Sequence, residues 1–414
     1  MIPIHALVEQ VFRSEYGIVF ATLIRVLGDF DRAEDALQEA FVTAMARWPL
    51  DGIPEKPAAW LSVVARRKAL DRLRGEQTAY HRREALALNM AMAMEDQAEA
   101  EASAARDPLR LIFTCCHPAL KQEAQIALTL KAVAGLQTSE IASAFLLPEP
   151  TMAQRIVRAK RKIRDAGIPY RIPEPEEWPE RMAAVLHVLY LIFNEGYFSA
   201  KEASTIRLNL CEEAIRMTRR LTSFAPEDSD VRGLLALMLL HHSRRDTRGK
   251  MLEEQDRSLW DRALIEEGIS LTKQALSTGS IGSYAIQAAI AAVHAEALDF
   301  ASTDWRQIVL LYSALLKRTP SPIVSLNRAI AVSMIEGPEA GLALLSTLED
   351  SLGKQDYQPF YAGKADLLRR AGRYQEALEI YQKAIEGTQS EIAVEFLTRR
   401  MEEITLALKK EQLN

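Results

Sequence analysis

Gln154, Arg155, Arg158, Arg161 and Lys162 fall within nine positions of one another. On a helix they share one arc, because Met152, Ile156, Ala159 and Ile163 recur at spacings of four, three and four and make an apolar stripe on the other side. A guanidinium group binds a guanine edge in two places or grips a phosphate, and a glutamine amide pairs with adenine. These are side chains suited to nucleic acid, on a helix able to dock on its own domain. A solvated basic helix has the same composition, so the neighbouring pattern must decide. The stretch Ala132 to Ala142, with Gly135 in it, followed by Pro148 to Arg155, reads as helix, glycine turn, short helix, turn, helix: a helix-turn-helix. Pro150 suits the first position of the last helix, or Thr151 and Gln154 form a capping box one or two residues on.

A second cationic helix runs from Pro57 to Arg74 and carries Arg66, Arg67, Lys68, Arg72 and Arg74 against a single acid, Asp71. Its Trp60 reads as core rather than as a stacking platform. Upstream lies the opposite charge: Asp29, Asp31, Glu34, Asp35 and Glu39 against Arg32. Residues 1–170 hold 22 Lys+Arg against 21 Asp+Glu, a balance of +1, and residues 171–414 hold 29 against 35, a balance of -6. The bulk charge is small, but it is sorted into blocks that suggest separate contact surfaces, two of them fit for phosphate.

Other reactive residues carry less. Cys115, Cys116 and His117 are adjacent, so they cannot all converge on one ion, and buried packing cysteines are the expected reading, with no metal and no cofactor. His241 and His242 beside Arg244 and Arg245 read as a helix end. No phosphate loop, nucleophile elbow or His-x-x-x-His pair occurs, so no catalytic activity is expected.

These side chains are positioned by helices. From Val8 to Trp48 apolar residues recur at three and four, and alternating strand patterns are missing, which predicts an all-α protein. The chain's 414 residues, 48% hydrophobic and 26% charged, suit two or three globular domains. Apolar runs are far shorter than a bilayer span, and the start has no basic residue before Arg13, so a cytoplasmic protein without membrane contact is expected. Four prolines between Pro169 and Pro179 exclude a helix and mark residues 167–180 as a linker. Residues 85–106, rich in Ala, Met and Glu, read as a helical tether. The expected domains are 1–84, 107–166 and 181–414. In the last, Trp305, Ile308, Tyr312, Leu315 and Pro320, and again Gly372, Tyr374, Ala377, Tyr381 and Ala384, fit the second helix of a tetratricopeptide (TPR) unit. The registers place units near 289, 323 and 358 and predict a TPR-like α-solenoid with a protein or peptide ligand.

Taken in order, Asp29 to Phe41, Ala59 to Arg74 and the helix-turn-helix resemble the second and fourth conserved regions of bacterial RNA polymerase sigma factors of the extracytoplasmic-function (ECF) type. With Leu111-Ile112-Phe113-Thr114-Cys115-Cys116-His117-Pro118-Ala119-Leu120 and the helical extension, the chain is similar to the subgroup that carries a TPR-like C-terminal domain. The resemblance implies two partners, core RNA polymerase and promoter DNA. It implies that Glu34, Asp35, Leu37, Gln38 and Glu39 dock on the clamp helices of the polymerase, and that Arg66, Arg67, Arg72 and Arg74 face the minus-ten element. The loop from Pro49 to Pro57 would receive a flipped base, and Thr151 to Arg161 would enter the major groove at the minus-thirty-five element. Two departures separate this chain from many members: Arg67 replaces an Asn, and Pro150-Thr151-Met152-Ala153-Gln154-Arg155 replaces a Ser-x-x-Thr-Val-Lys-Ser-Arg-like start, so promoter sequence does not carry over. Between Asp51 and Ile112 the only aromatics are Trp60 and Tyr80, which predicts a weak melter of DNA. Two readings use less of the sequence: a helix-turn-helix regulator that never joins the polymerase, and an adaptor whose basic helices bind an acidic protein.

Overall fold

The computed structural model describes residues 4–75, 107–145, 147–198, 205–247, 250–353, 357–388 and 391–412. Among these residues the regular elements are helical, with no strand, as the hydrophobic period requires. The described residues up to Phe224 make one compact unit, and those from Ala225 onward make another.

The first unit begins with three packed helices, α1 (Ile4–Leu27), α2 (Phe30–Asp51) and α3 (Pro57–Gly75). The Asp29 carboxylate caps α2 by accepting from the Asp31 and Arg32 N–H groups, both at 2.9 Å. Ala33, Ala36, Leu37, Ala40, Phe41, Ala44 and Trp48 follow the helical period along α2 and are buried with Phe20, Leu23, Leu61 and Ala65. Trp60 is half-buried and packs on the buried Trp48, ring centres 5.4 Å apart, which agrees with a core role.

Residues 76–106, including the expected tether, lie outside the described residues. A helix over 107–115 (α4) follows, then α5 (Gln122–Ala132), α6 (Thr138–Ala144) and α7 (Glu149–Asp165). Gly135 turns the chain with φ 75°, a conformation that favours glycine, and the Glu140 carboxylate accepts from the Gln137 N–H at 2.7 Å to start α6. Pro150 falls in the first turn of α7, where its missing N–H costs nothing. The helix starts at Glu149, so Thr151 is an early helical residue rather than the cap of a box with Gln154.

Two more helices, α8 (Trp178–Phe198) and α9 (Thr205–Phe224), complete this unit. They pack on each other, α8 also on α5 and α9 also on α6. The proline segment between α7 and α8 has no helix, as expected, yet it is anchored. Ile168 is buried, and the Tyr170 hydroxyl donates within 2.8 Å of the Ala21 carbonyl and 3.1 Å of the Asp107 carbonyl. The division between compact units therefore falls after Phe224, not at residues 167–180.

The second unit opens with α10 (Ser229–His242), which ends at His242 as read from the sequence, and α11 (Arg262–Leu276). Three short 3-10 turns between them are organised by the buried Arg257, whose guanidinium donates to the carbonyls of His294 (2.7 Å) and Ala297 (2.9 Å). Then come α12 (Ser283–Glu296), α13 (Trp305–Arg318), α14 (Pro322–Glu336), α15 (Pro338–Ser346), α16 (Gln358–Arg370), α17 (Tyr374–Glu386) and α18 (Glu391–Gln412), each packed on its neighbour in sequence. The paired helices α12–α13, α14–α15 and α16–α17 begin at Ser283, Pro322 and Gln358, so the last two lie within one residue of the registers expected at 323 and 358, while the first begins six residues before the one expected at 289. Arg399 and Arg400 of α18 lie over the Phe396 ring and pair with Glu254 and Glu253 of the 3-10 turns, so the last helix returns to the start of its unit.

Candidate nucleic-acid interface

Helix α7 divides its residues as its periodicity demands. Met152, Ile156, Ala159 and Ile163 are buried at 1%, 4%, 2% and 7% exposure, so the stripe fixes the helix's rotation about its axis. Thr151, Gln154, Arg158, Arg161 and Lys162 are exposed, and Arg155 is half-buried. All of these except Arg161 line an open cleft of 640 Å³ with Leu120, Lys121 and Glu123 at the start of α5. Arg161 lies outside it and pairs with Asp165 across one turn at 3.1 Å. The cleft thus gathers an amide, two guanidiniums and one ammonium group on one face of α7, with the Lys121 ammonium group added from just before α5, a set that binds phosphate and base edges. Lys121 was not among the residues picked from the sequence, because it precedes its helix and belongs to no charge block.

On α3, Arg67 is exposed and Arg66 half-buried; the side chains of Arg72 and Arg74, in its last turn, lie outside the described residues. On α2 the five residues picked by resemblance separate. Asp35, Gln38 and Glu39 are exposed, while Leu37 is fully buried in the three-helix core and presents no surface. Glu34 is half-buried between two cations: Lys160 of α7 at 2.7 Å and Lys131 of α5 at 3.0 Å. Lys160 also reaches Asp31 at 2.9 Å. Burial pushes the Glu34 carboxyl up, but the hydrogen bond from Lys160 and the charge of Lys131 outweigh it and hold the group below the usual carboxylate range. Sequence reasoning missed both lysines as partners of α2, since nothing local links residues so far apart.

Cys115 and Cys116 are fully buried. Burial pushes the Cys116 thiol up to about 12, against a weaker opposing hydrogen bond with Thr129, so its reactive thiolate form is suppressed.

Residues 11–78 match sigma-70 region 2, residues 110–163 match sigma-70 region 4, and residues 181–276 match a family of unknown function, DUF6596. An uncharacterized protein of Rhizobium meliloti is 42% identical over 372 residues, covering 88% of each chain. A probable ECF RNA polymerase sigma factor, SigI, of Mycobacterium tuberculosis is 26% identical over 166 residues, 40% of this chain and 57% of that one. Two sigma-70 regions in this order, on these helices, define a sigma factor of transcription initiation. The chain belongs to the ECF-type RNA polymerase sigma factors, in a form whose C-terminal extension is DUF6596. No described helix is long and apolar enough to cross a membrane.

Proposed function

We propose that this chain binds core RNA polymerase through the exposed acids of α2 and brings it to promoters, with α3 facing the minus-ten element and α7 the minus-thirty-five element. The observation that carries the reading is the cleft along α7, where Gln154, Arg155, Arg158 and Lys162 stand together above a buried stripe that fixes their direction. Asp35 and Glu39 on α2, with Gln38 between them, offer the acidic surface for the polymerase. The +1 balance of residues 1–170 gives little phosphate attraction by itself, so specific binding depends on the polymerase. Trp60 is occupied by Trp48 and is not a free stacking face, in keeping with a factor that captures one or two bases and melts DNA weakly. The protein is cytoplasmic and non-catalytic, and the C-terminal helices regulate initiation and hold a protein or peptide ligand.

Transcription in vitro with purified core polymerase and genomic DNA of the source organism tests this. The full chain should give discrete promoter-dependent transcripts. Arg158→Ala or Gln154→Ala should lower them by about 5- to 150-fold, the range of one lost base contact. Asp35→Lys with Glu39→Lys should reduce capture of core polymerase in a pull-down. Discrete promoter binding with no capture of polymerase would favour an independent helix-turn-helix regulator instead.

A further inference from the structure

Val157 of α7 is 62% exposed, a large apolar side chain set among cations and an amide. A lone exposed valine is ordinary on a protein surface, so only its place on the helix can give it meaning. The core does not use it, because Met152, Ile156, Ala159 and Ile163 already form the buried side. At about 100° of turn per residue, Gln154 and Arg161 lie within about 10° of the line directly opposite that stripe, with Val157 about 50° to one side and Arg158 about 50° to the other. Val157 therefore stands within the surface that α7 would turn toward the floor of a groove.

Chemistry divides the reading of bases among these side chains. Guanidiniums reach guanine or phosphate, and the Gln154 amide reaches adenine. None of them recognises the C5 methyl group that marks thymine in the major groove, which forms no hydrogen bond and is read by apolar contact. Val157 supplies an apolar surface at the right place. Branching at Cβ leaves it one strongly preferred rotamer on a helix, so its two methyl groups are held in position without the ordering cost that a long cationic side chain bears. Helix stability gives no reason for the residue: valine is a poorer helix former than alanine, and this position faces solvent. One turn on, Arg161 is drawn onto Asp165 at 3.1 Å, away from the bases.

We propose that Val157 is a specificity-determining residue, which selects thymine in the minus-thirty-five element through the C5 methyl group. The inference rests on the function proposed above for α7, and it adds a base identity to that function. Spacing fixes where the thymine falls. Side chains three residues apart on a helix stand about 5 to 6 Å from each other, and base pairs rise by about 3.4 Å, so the thymine lies within about two base pairs of the adenine that Gln154 reads.

The test uses the full chain, core polymerase and a promoter recovered by transcription of the genomic DNA. Each thymine of its minus-thirty-five element is replaced in turn by deoxyuridine, which pairs identically and lacks only the methyl group. At one position the parent's transcription at limiting protein should fall about fourfold, the worth of one buried methyl-sized group. Val157→Ala should start at the lower level and show no difference between thymine and uracil there, with the helix content by circular dichroism unchanged. Val157→Thr, which keeps one methyl on a branched side chain, should retain part of the difference. Gln154→Ala should lower transcription from both templates and preserve the difference, and the adenine preference it loses should lie within about two base pairs of the sensitive thymine. An element in which no thymine responds to loss of its methyl group, or an undiminished response in Val157→Ala, overturns the inference and leaves the reading of α7 intact. If the full chain yields no promoter-dependent transcript, the functional reading fails instead. The same comparison is then made by binding of the full chain to duplexes selected from random sequence, where an absent or Val157-independent methyl effect overturns the inference as well.

Discussion

Glu34 and Lys160 shift each other's titration in opposite directions. Glu34 is held low for the reasons given above; burial pulls Lys160 down, but its bonds to Glu34 and Asp31 raise it above the ordinary lysine value. A lowered carboxyl stabilises the fold above its unfolded pKa and loses that contribution as pH falls through the folded value. A raised ammonium stabilises below its unfolded pKa and loses the contribution as pH rises through the folded value. The pair's contribution is therefore flat between about pH 5 and pH 10 and fades below about pH 4.3. The melting temperature of the parent should exceed that of Lys160→Gln by a constant margin across the flat range and converge with it in acid. The thiols give a second expectation at this scale. Cys115, Cys116 and Cys211 are buried, so a thiol reagent should label the native chain slowly and all three cysteines rapidly after denaturation.

Helix α7 shows how far a sequence can be read and where it stops. Met152, Ile156, Ala159 and Ile163 were legible as its buried side because four-three-four spacing leaves one face for the core, and the exposed arc followed from it. Ile156→Ala should cost about 2 to 5 kcal/mol in denaturant unfolding and release the helix's direction along with its stability. Lys160 was not legible, because its partners lie 126 and 129 positions away and no local period encodes such a pairing. Leu37 shows the converse limit: likeness to a family marks a segment as a contact helix, but one face of that helix is core, and Leu37 belongs to it. Prolines between 169 and 179 correctly excluded a helix; they carried no information on whether Tyr170 would be anchored. The later registers were readable because Gly337 and Gly372, 35 positions apart, both turn the chain with positive φ between paired helices.

At the scale of the whole chain, family boundaries and compact units disagree. The match to DUF6596 begins at residue 181, whereas packing keeps α8 and α9 with the sigma-70 regions and starts the second unit after Phe224. The second unit closes by its own means, with Arg399 and Arg400 of α18 on Glu254 and Glu253. Arg400→Glu should lower its thermal transition, and Glu253→Arg in the same chain should recover part of the loss. Because α8 and α9 straddle the two descriptions, two deletions that look interchangeable are different experiments. Ending the chain at residue 180 lays bare Leu109, Ile112 and Phe113, and the shortened product should aggregate or misbehave for reasons unrelated to any lost regulator. Ending it at residue 224 keeps those side chains dry and removes only the later repeats, and that product alone reports what the distal helices contribute to gene expression.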